Sequence, residues 1–542
     1  MGGGREAAER RRWRRRRNCA RLFASWQLYL PVVLMTLGLE WSADGAALFG
    51  RHQDPPSPSP WGKGLDRNAD DRRLFTDVVL LAAADSSIDG DGDGASRSNN
   101  YYDPQSDPLY RIAFGSCSHQ SKPTTVWHHV LNFAPQMFIW LGDNIYGDYK
   151  QPARVAGPKR NVGPWKVHPR FLPAPMQLMQ EMYDLQKSHP MYSRVREQAK
   201  VIGTWDDHDY GLNDAGKEFE WKQESQKLML DFLDEPINSP RRNQEGVYAA
   251  YDYGPPGKRV KVILTDTRYH RESPSSDSDL LGEEQWQWLE RELNHSTANV
   301  HIIGSSVQVI PNLTAVLQPF GQVEGWARFP ASRSRLFRIL KDSNLPGIFF
   351  ISGDVHFADM NRYDCALQYP LYEFTASGLT QSVEEMVPPL LQPVLRLLGL
   401  LVPGPLRIRR PYGKQNFGTI EINWDDDPIS IHFKVHRDTG ETVLSHQILL
   451  TELQSPPGTA EDSAKGARRG SDQGRGSKSS EAGKFCVTET DLSWFARHRF
   501  FFAVVVVLTA LAALAIGACY AVFAGVWMLL HTTCPCERMK VD

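Results

Sequence analysis

Residues 203–216 read GTWDDHDYGLNDAG, and Asp206, Asp207, His208, Asp209 and Asp214 fall within nine positions directly after the strand-like run Ala199–Ile202. A solvated surface loop tolerates such charge but gains nothing from the tryptophan and glycines around it. Carboxylates crowded away from water are costly unless cations neutralise them. The stretch therefore predicts a loop at a strand end whose acids are held together by metal ions.

Working outward, short apolar runs recur on both sides: RIAF (111–114), MFIWL (137–141), VKVILT (260–265), HIIG (301–304) and IFFIS (348–352). Most are continuously hydrophobic rather than alternating, which suits strands buried on both faces. Helical patterns separate them. In GEEQWQWLEREL (282–293), Trp286, Leu289 and Leu293 share one face and the glutamates occupy the other. Strands alternating with helices imply an α/β layered fold. NFGTIEINW (416–424) and ISIHFKVH (429–436) predict a closing antiparallel hairpin with DDDP as its turn.

The strands stop at polar clusters. RIAFGSCSH places Cys117 past the first strand, MFIWLGDNIYGD places Asp143 and Tyr146 past the next, and IFFISGDVHF ends with Asp354 and His356. Ligands of open α/β sheets bind where loops leave the carboxyl ends of strands, so these loops converge with the 205–216 segment. Phenolate and thiolate suit a charge-rich transition ion such as ferric iron, whereas carboxylates and amide oxygens suit calcium. Neighbouring cations can clamp a phosphate, activate a hydroxide and stabilise a leaving oxygen.

The rest of the chain bounds this unit. Residues 51–106 and 454–496 are rich in Pro, Ser, Gly and charge and read as flexible, leaving one folded domain over 107–453. The basic RRRWRRRRNCAR followed by apolar 22–39 and small residues predicts a signal peptide or signal anchor within 1–50. Residues 500–530 carry no charge for 31 positions. About 20 would suffice, so a transmembrane helix is assigned over 497–531, before a short tail, 532–542, with Cys534 and Cys536. A targeting signal would place the domain in a lumenal or extracellular space, where Asn294 and Asn312 stand in glycosylation triplets. Arg497 and Arg499 on the domain side of the helix run against the positive-inside tendency. The formal charge of −2 gives no case for a nucleic-acid partner, and no protein partner is inferable. DSSIDGDGDG (85–94) lacks the glutamate of a calcium loop and reads as acidic linker.

At GSC (115–117), GDNIY (142–146), WDDHDYGLNDAG (205–216), LTDTRYHR (264–271), LGEEQWQWL (281–289), GSSVQ (304–308) and SGDVH (352–356), the chain resembles the PhoD-like (alkaline phosphatase D) metallophosphoesterases. The resemblance implies a four-layer α/β/β/α metallophosphatase sandwich that hydrolyses phosphate esters. It implies Fe3+ held by Cys117, Asp143, Tyr146 and Asp354. It implies Ca2+ bound through the shared aspartates with Asp207, Asn213 and His356, another divalent metal being the alternative. Monoester hydrolysis by a membrane-tethered domain is the first expectation, diester (phospholipase D-like) hydrolysis the second, and a non-catalytic calcium-binding surface protein the third.

Further roles follow from the residues themselves. His208 and Arg268 are expected as transition-state donors to phosphate oxygens, with His208 or His356 supplying a proton. Against these stand plainer readings: His208 orienting a carboxylate, Arg268 pairing with Asp266, Cys117 bonded to Cys365, Asp209 and Asp214 as solvated or capping residues, and His119, His128 and His129 on a helix surface. VPPLLQPVLRLLGLLVPGPLRIRR (387–410) is too long and apolar for a loop. It reads either as a helical insertion packed on the domain or as a cap touching the bilayer beside the site.

Overall fold

The computed structural model describes residues 106–151, 160–161, 170–317, 323–455 and 485–533. The expected leader, nearly all of the 51–106 linker with its acidic 85–94 stretch, the polar 456–484 segment, and Cys534 and Cys536 lie outside the described residues.

The strands in chain order are β1 (Arg111–Gly115), β2 (Met137–Leu141), β3 (Asp148–Gln151), β4 (Arg160–Asn161), β5 (Arg170–Pro173), β6 (Lys200–Thr204), β7 (Ala249–Tyr253) and β8 (Val260–Leu264). They continue as β9 (Val300–Ser305), β10 (Ile348–Ser352), β11 (Ala358–Tyr363), β12 (Leu371–Ala376), β13 (Asn416–Asn423), β14 (Ser430–Arg437) and β15 (Thr442–Leu449). One six-stranded sheet runs β15-β14-β13-β1-β2-β6, and a second runs β11-β12-β10-β9-β8-β7. Strands β1, β2 and β6 are parallel, as are β8, β9, β10 and β12. A bridge between Ser116 and Ser377 joins the two sheets where β1 and β12 end.

Side-chain alternation makes the layers. Ile112 and Phe114 of β1, with Met137, Ile139 and Leu141 of β2, pack into the core shared with Ile263, Ile303 and Ile351 of the second sheet. Ala113, Phe138 and Trp140 point the other way, onto Trp127, Tyr192 and Val195 of two covering helices, Val126–Phe133 and Pro190–Gln198. Since successive residues of a strand face opposite sides, a run apolar at every position is what a sheet buried on both faces requires. Helix Glu283–Asn294 lays Trp286, Leu289 and Leu293 on the second sheet, completing helix, sheet, sheet and helix. The predicted hairpin forms as β13 and β14, and β15 extends it.

Cys365 is bonded to Cys486, which excludes its pairing with Cys117. The bond also corrects the boundary of the linker: residues 485–493 lie on the domain. The Phe485 carbonyl accepts from Asp364 N (3.2 Å) and Glu489 is buried. Composition hid this because a disulfide, one buried acid and a single aromatic, Phe485, packed on the core hold a segment that is otherwise polar. Beyond it, Trp494–Leu529 is the one described helix long and apolar enough to cross a membrane.

Candidate metal centre

Each strand-end loop turns sharply, and the turn is what aims its functional side chain. Cys117, Asp143, Asp354 and His356 all adopt left-handed backbone, with φ of 62°, 50°, 68° and 59°. Such conformations cost non-glycine residues roughly 1–2 kcal/mol each and persist where the surroundings over-determine them. Gly142 supplies the room: at φ +92°, a Cβ there would lie 2.4 Å from the Asp206 Cβ. Gly353 does the same between the sheets, where a Cβ would fall 2.7 Å from the Leu141 carbonyl oxygen.

The loops converge. Cys117 Sγ donates to Asp143 Oδ2 (3.4 Å) and to the Asp354 carbonyl (3.8 Å) and lies 3.1 Å from Ser377 Oγ. The Tyr146 hydroxyl is 3.1 Å from His356 Nε2. One donor atom each from Cys117, Asp143 and His356 lie within 4.8 Å of one another, and the same holds for Asp143, Asp207 and His208. Asp143 is thus common to both groups. A third set, Asp207, Asp214 and Glu324, adjoins them through Asp207. The Asp354 carboxylate stands outside these sets, and burial, then repulsion from Asp206, Glu324 and Asp207, raises it well above the usual range. Asn213 joins through its backbone, its N–H donating to Asp148 Oδ2 (2.8 Å).

The donor chemistry fits bound cations. Burial, then repulsion from Asp207, Asp206 and Asp209, raises the Asp143 carboxyl well above the usual range even though His208 pulls it down. Burial and Asp143 raise the Cys117 thiol, and burial, Cys117 and Asp143 raise the Tyr146 phenol. Asn144 Oδ1 and Asp206 Oδ2 are buried without a hydrogen-bond partner. Acids, a thiol and a phenol all pushed toward their neutral forms are groups that multivalent cations would return to the ionised state.

His208 and Arg268 differ from each other. His208 Nδ1 binds Asp148 Oδ1 at 2.6 Å, and its ring lies 4.3 Å from that of Tyr146. Burial opposes its charge, but Asp148, Asp207 and Asp143 together raise its pKa well above the ordinary value. Arg268, expected as a donor to substrate, is fully buried and occupied. Its Nε donates to Asp206 Oδ1 (2.7 Å), its Nη2 pairs with Asp206 and Glu324, and Nη1 reaches the Ala215 carbonyl (3.4 Å). A guanidinium out of water needs such partners, and here they are acids around the centre. Asp266 accepts from the Arg268 backbone, not its side chain.

Asp209 caps: its carboxylate accepts from the amides of Asp206, Asn144 and Asp143, at 2.6, 3.0 and 3.3 Å, and it is buried, not solvated. His119 does not sit on a helix; it stacks on Tyr146 with centroids 5.3 Å apart. Sequence reasoning missed Asp148, although it stands in GDNIYGD, and missed Glu324, whose surroundings GQVEGW carry no signal.

One consequence is measurable in the metal-free protein. Burial holds the Asp206 and Asp214 carboxyls at about 7. The folded chain therefore binds more protons than the unfolded one between about pH 4 and 7, and stability falls as pH rises through that window. Asp207, lowered to about 2, acts with the opposite sign only below it. Chelator-stripped protein should melt at a higher temperature near pH 6 than near pH 8, and added cations should flatten the difference. A stripped protein more stable at the higher pH would contradict this electrostatic reading.

An α/β protein with a candidate metal-binding centre at the carboxyl ends of its parallel strands is the class that fold and site define. The profile of PhoD-like phosphatases matches residues 112–389, and the chain belongs to that family. Alkaline phosphatase D of Bacillus subtilis (strain 168) is 25% identical over 285 residues, 46% of this chain and 46% of that protein, so the chain spans just under half of that relative's length. A solved structure of PhoD superimposes with TM-score 0.43 and 17% identity, covering 67% of this chain and 76% of the other. A putative 5'-nucleotidase from Staphylococcus aureus gives TM-score 0.29 and 11% identity over 63% and 54%.

Proposed function

We propose that the chain is a metal-dependent hydrolase of phosphate monoesters, tethered to a membrane by the Trp494–Leu529 helix. The observation that carries this reading is the Asp143 carboxylate, shared between two three-donor groups, buried except for half-buried His356, at the carboxyl ends of parallel strands. Cys117, Asp143 and Tyr146 would hold iron and Asp143 and Asp207 calcium; the family resemblance adds Asp354 to the first set and Asn213 and His356 to the second, although His356 here groups with Cys117 and Asp143. Bound cations supply positive charge that polarises a phosphoryl group and acidifies a water nucleophile.

The chain's own groups do the rest. Asp148 orients the His208 ring through Nδ1 and keeps it protonated, which suits delivery of a proton to the departing ester oxygen. The Tyr146 ring packs against those of His119 and His208, which positions its hydroxyl beside His356. The disulfide between Cys365 and Cys486 suits an oxidising compartment, supporting a lumenal or extracellular placement of the domain.

The test is elemental analysis of the purified full chain with turnover of a monoester and a diester chromogenic substrate, before and after chelation. Bound metal and chelator-sensitive monoester turnover are expected. Turnover of the diester alone would move the assignment to a phosphodiesterase, and metal without turnover to a binding protein.

A further inference from the structure

The segment after the SGDVH loop is built unlike the rest of the domain. Helix Gln392–Gly399 buries none of its residues. Met386, Leu390, Leu397 and Leu400 are 61%, 87%, 65% and 53% exposed. Yet the segment is fastened at both ends. On the site side, Met386 Sδ lies 3.5 Å from His356 Nδ1, and Val383 N donates to the His356 carbonyl (2.8 Å). An ion pair between Arg396 and Glu384 closes the loop. On the other side, Arg499 Nε donates to the Leu401 carbonyl (2.9 Å).

That last bond sets a depth. The apolar helix has 36 residues, about 54 Å at roughly 1.5 Å per residue, against a hydrocarbon core of about 30 Å. Its uncharged stretch begins at Phe500, so Arg499 is the last charge before the apolar span, and its bond keeps Leu401 beside that end of the helix. Trp494 and Phe495, both exposed, lie one to two turns before it, where aromatic residues favour the interface. The disulfide to Cys486, eight residues before Trp494, fixes how the domain meets the helix.

We propose that residues 386–401 are a membrane-docking element that lies in the interfacial layer of the bilayer crossed by the C-terminal helix, placing the metal centre's Met386–His356 edge against that surface. The occupant of the exposed leucine face is lipid. The argument rests on continuity with the helix, whose Arg497 and Arg499 stand where the phosphates of lipid headgroups would meet them. This also accounts for arginines on the domain side of the helix, since they serve the interface rather than topology. The proposal takes the helix as membrane-spanning and deepens the hydrolase reading by favouring phosphate esters presented at the bilayer.

The experiment uses the full chain in nanodiscs of phosphatidylcholine and phosphatidylserine, with Cys19, Cys519, Cys534 and Cys536 replaced by Ser and an environment-sensitive fluorophore on Leu397→Cys. Blue-shifted emission quenched by doxyl lipids and shielded from iodide is expected. Quenching by iodide alone overturns the docking, as does protection from both quenchers with a doubled particle mass, which would mean a second copy covers the face. The triple variant Leu390→Ser/Leu397→Ser/Leu400→Ser should lose about tenfold in kcat/KM on a phosphate ester of a disc lipid while leaving soluble p-nitrophenyl phosphate unchanged. Equal loss on both overturns the proposal. A parent chain inactive on both esters refutes the hydrolase reading instead, and the fluorophore still reports on docking.

Discussion

Asp143→Asn should remove phosphate-ester turnover and bound metal together, while the metal-free variant melts at a higher temperature than the stripped parent. The two effects share one cause. The carboxylate is buried, 3.4 Å from Cys117 Sγ and 3.4 Å from the His208 amide, and belongs to both three-donor groups. Loss of a shared anionic donor weakens each group at once. Without cations the same charge is a liability, since burial and three neighbouring aspartates push its carboxyl upward; an amide of equal size relieves that. His208→Ala provides the scale. General acid help is typically worth roughly 10²–10⁴ in rate, so Asp143→Asn should fall below His208→Ala. Measured kcat values with metal content decide the matter, and a milder defect in Asp143→Asn would sink the shared-donor reading.

Arg268→Met should destabilise the protein by about 3–5 kcal/mol, the usual result of removing one partner from a buried ionic set. Asp206 would retain Ser306 Oγ at 2.9 Å, and Glu324 would retain Arg271, but neither replaces a guanidinium that touches both acids. Adding Glu324→Gln should recover part of the loss, because it deletes one of the charges left uncompensated. Thermal or urea unfolding reads both changes. An Arg268→Met protein with an unchanged melting temperature and lost turnover would restore the role of direct donor to substrate.

Some of this centre was legible along the chain and some was not. Cys117, Asp143, Tyr146, Asp207, His208 and His356 were readable because each follows a continuous apolar run or stands in an acid-dense one, and strand ends are where α/β sheets bind ligands. Asp148 was readable in principle, five positions past Asp143, but a second acid in a short loop has no distinguishing pattern. The pairings of Arg268 were not legible because a sequence shows a cation near acids without showing which of them it meets. Its partners Asp206 and Glu324 lie 62 and 56 residues away.

What the sequence by itself determined is the layered α/β architecture and the register of its site loops. Both follow from continuous apolar runs and the polar clusters that end them, which depend on neighbours a few residues apart. Only the tertiary structure decided that Asp143 serves two donor sets, that Arg268 is spent on buried acids, and that Cys365 joins Cys486 across 121 residues. It also decided that the apolar insertion meets both the SGDVH loop and the base of the apolar C-terminal helix. These are through-space pairings, and their energies depend on distance and burial, which the order of residues along a chain does not contain.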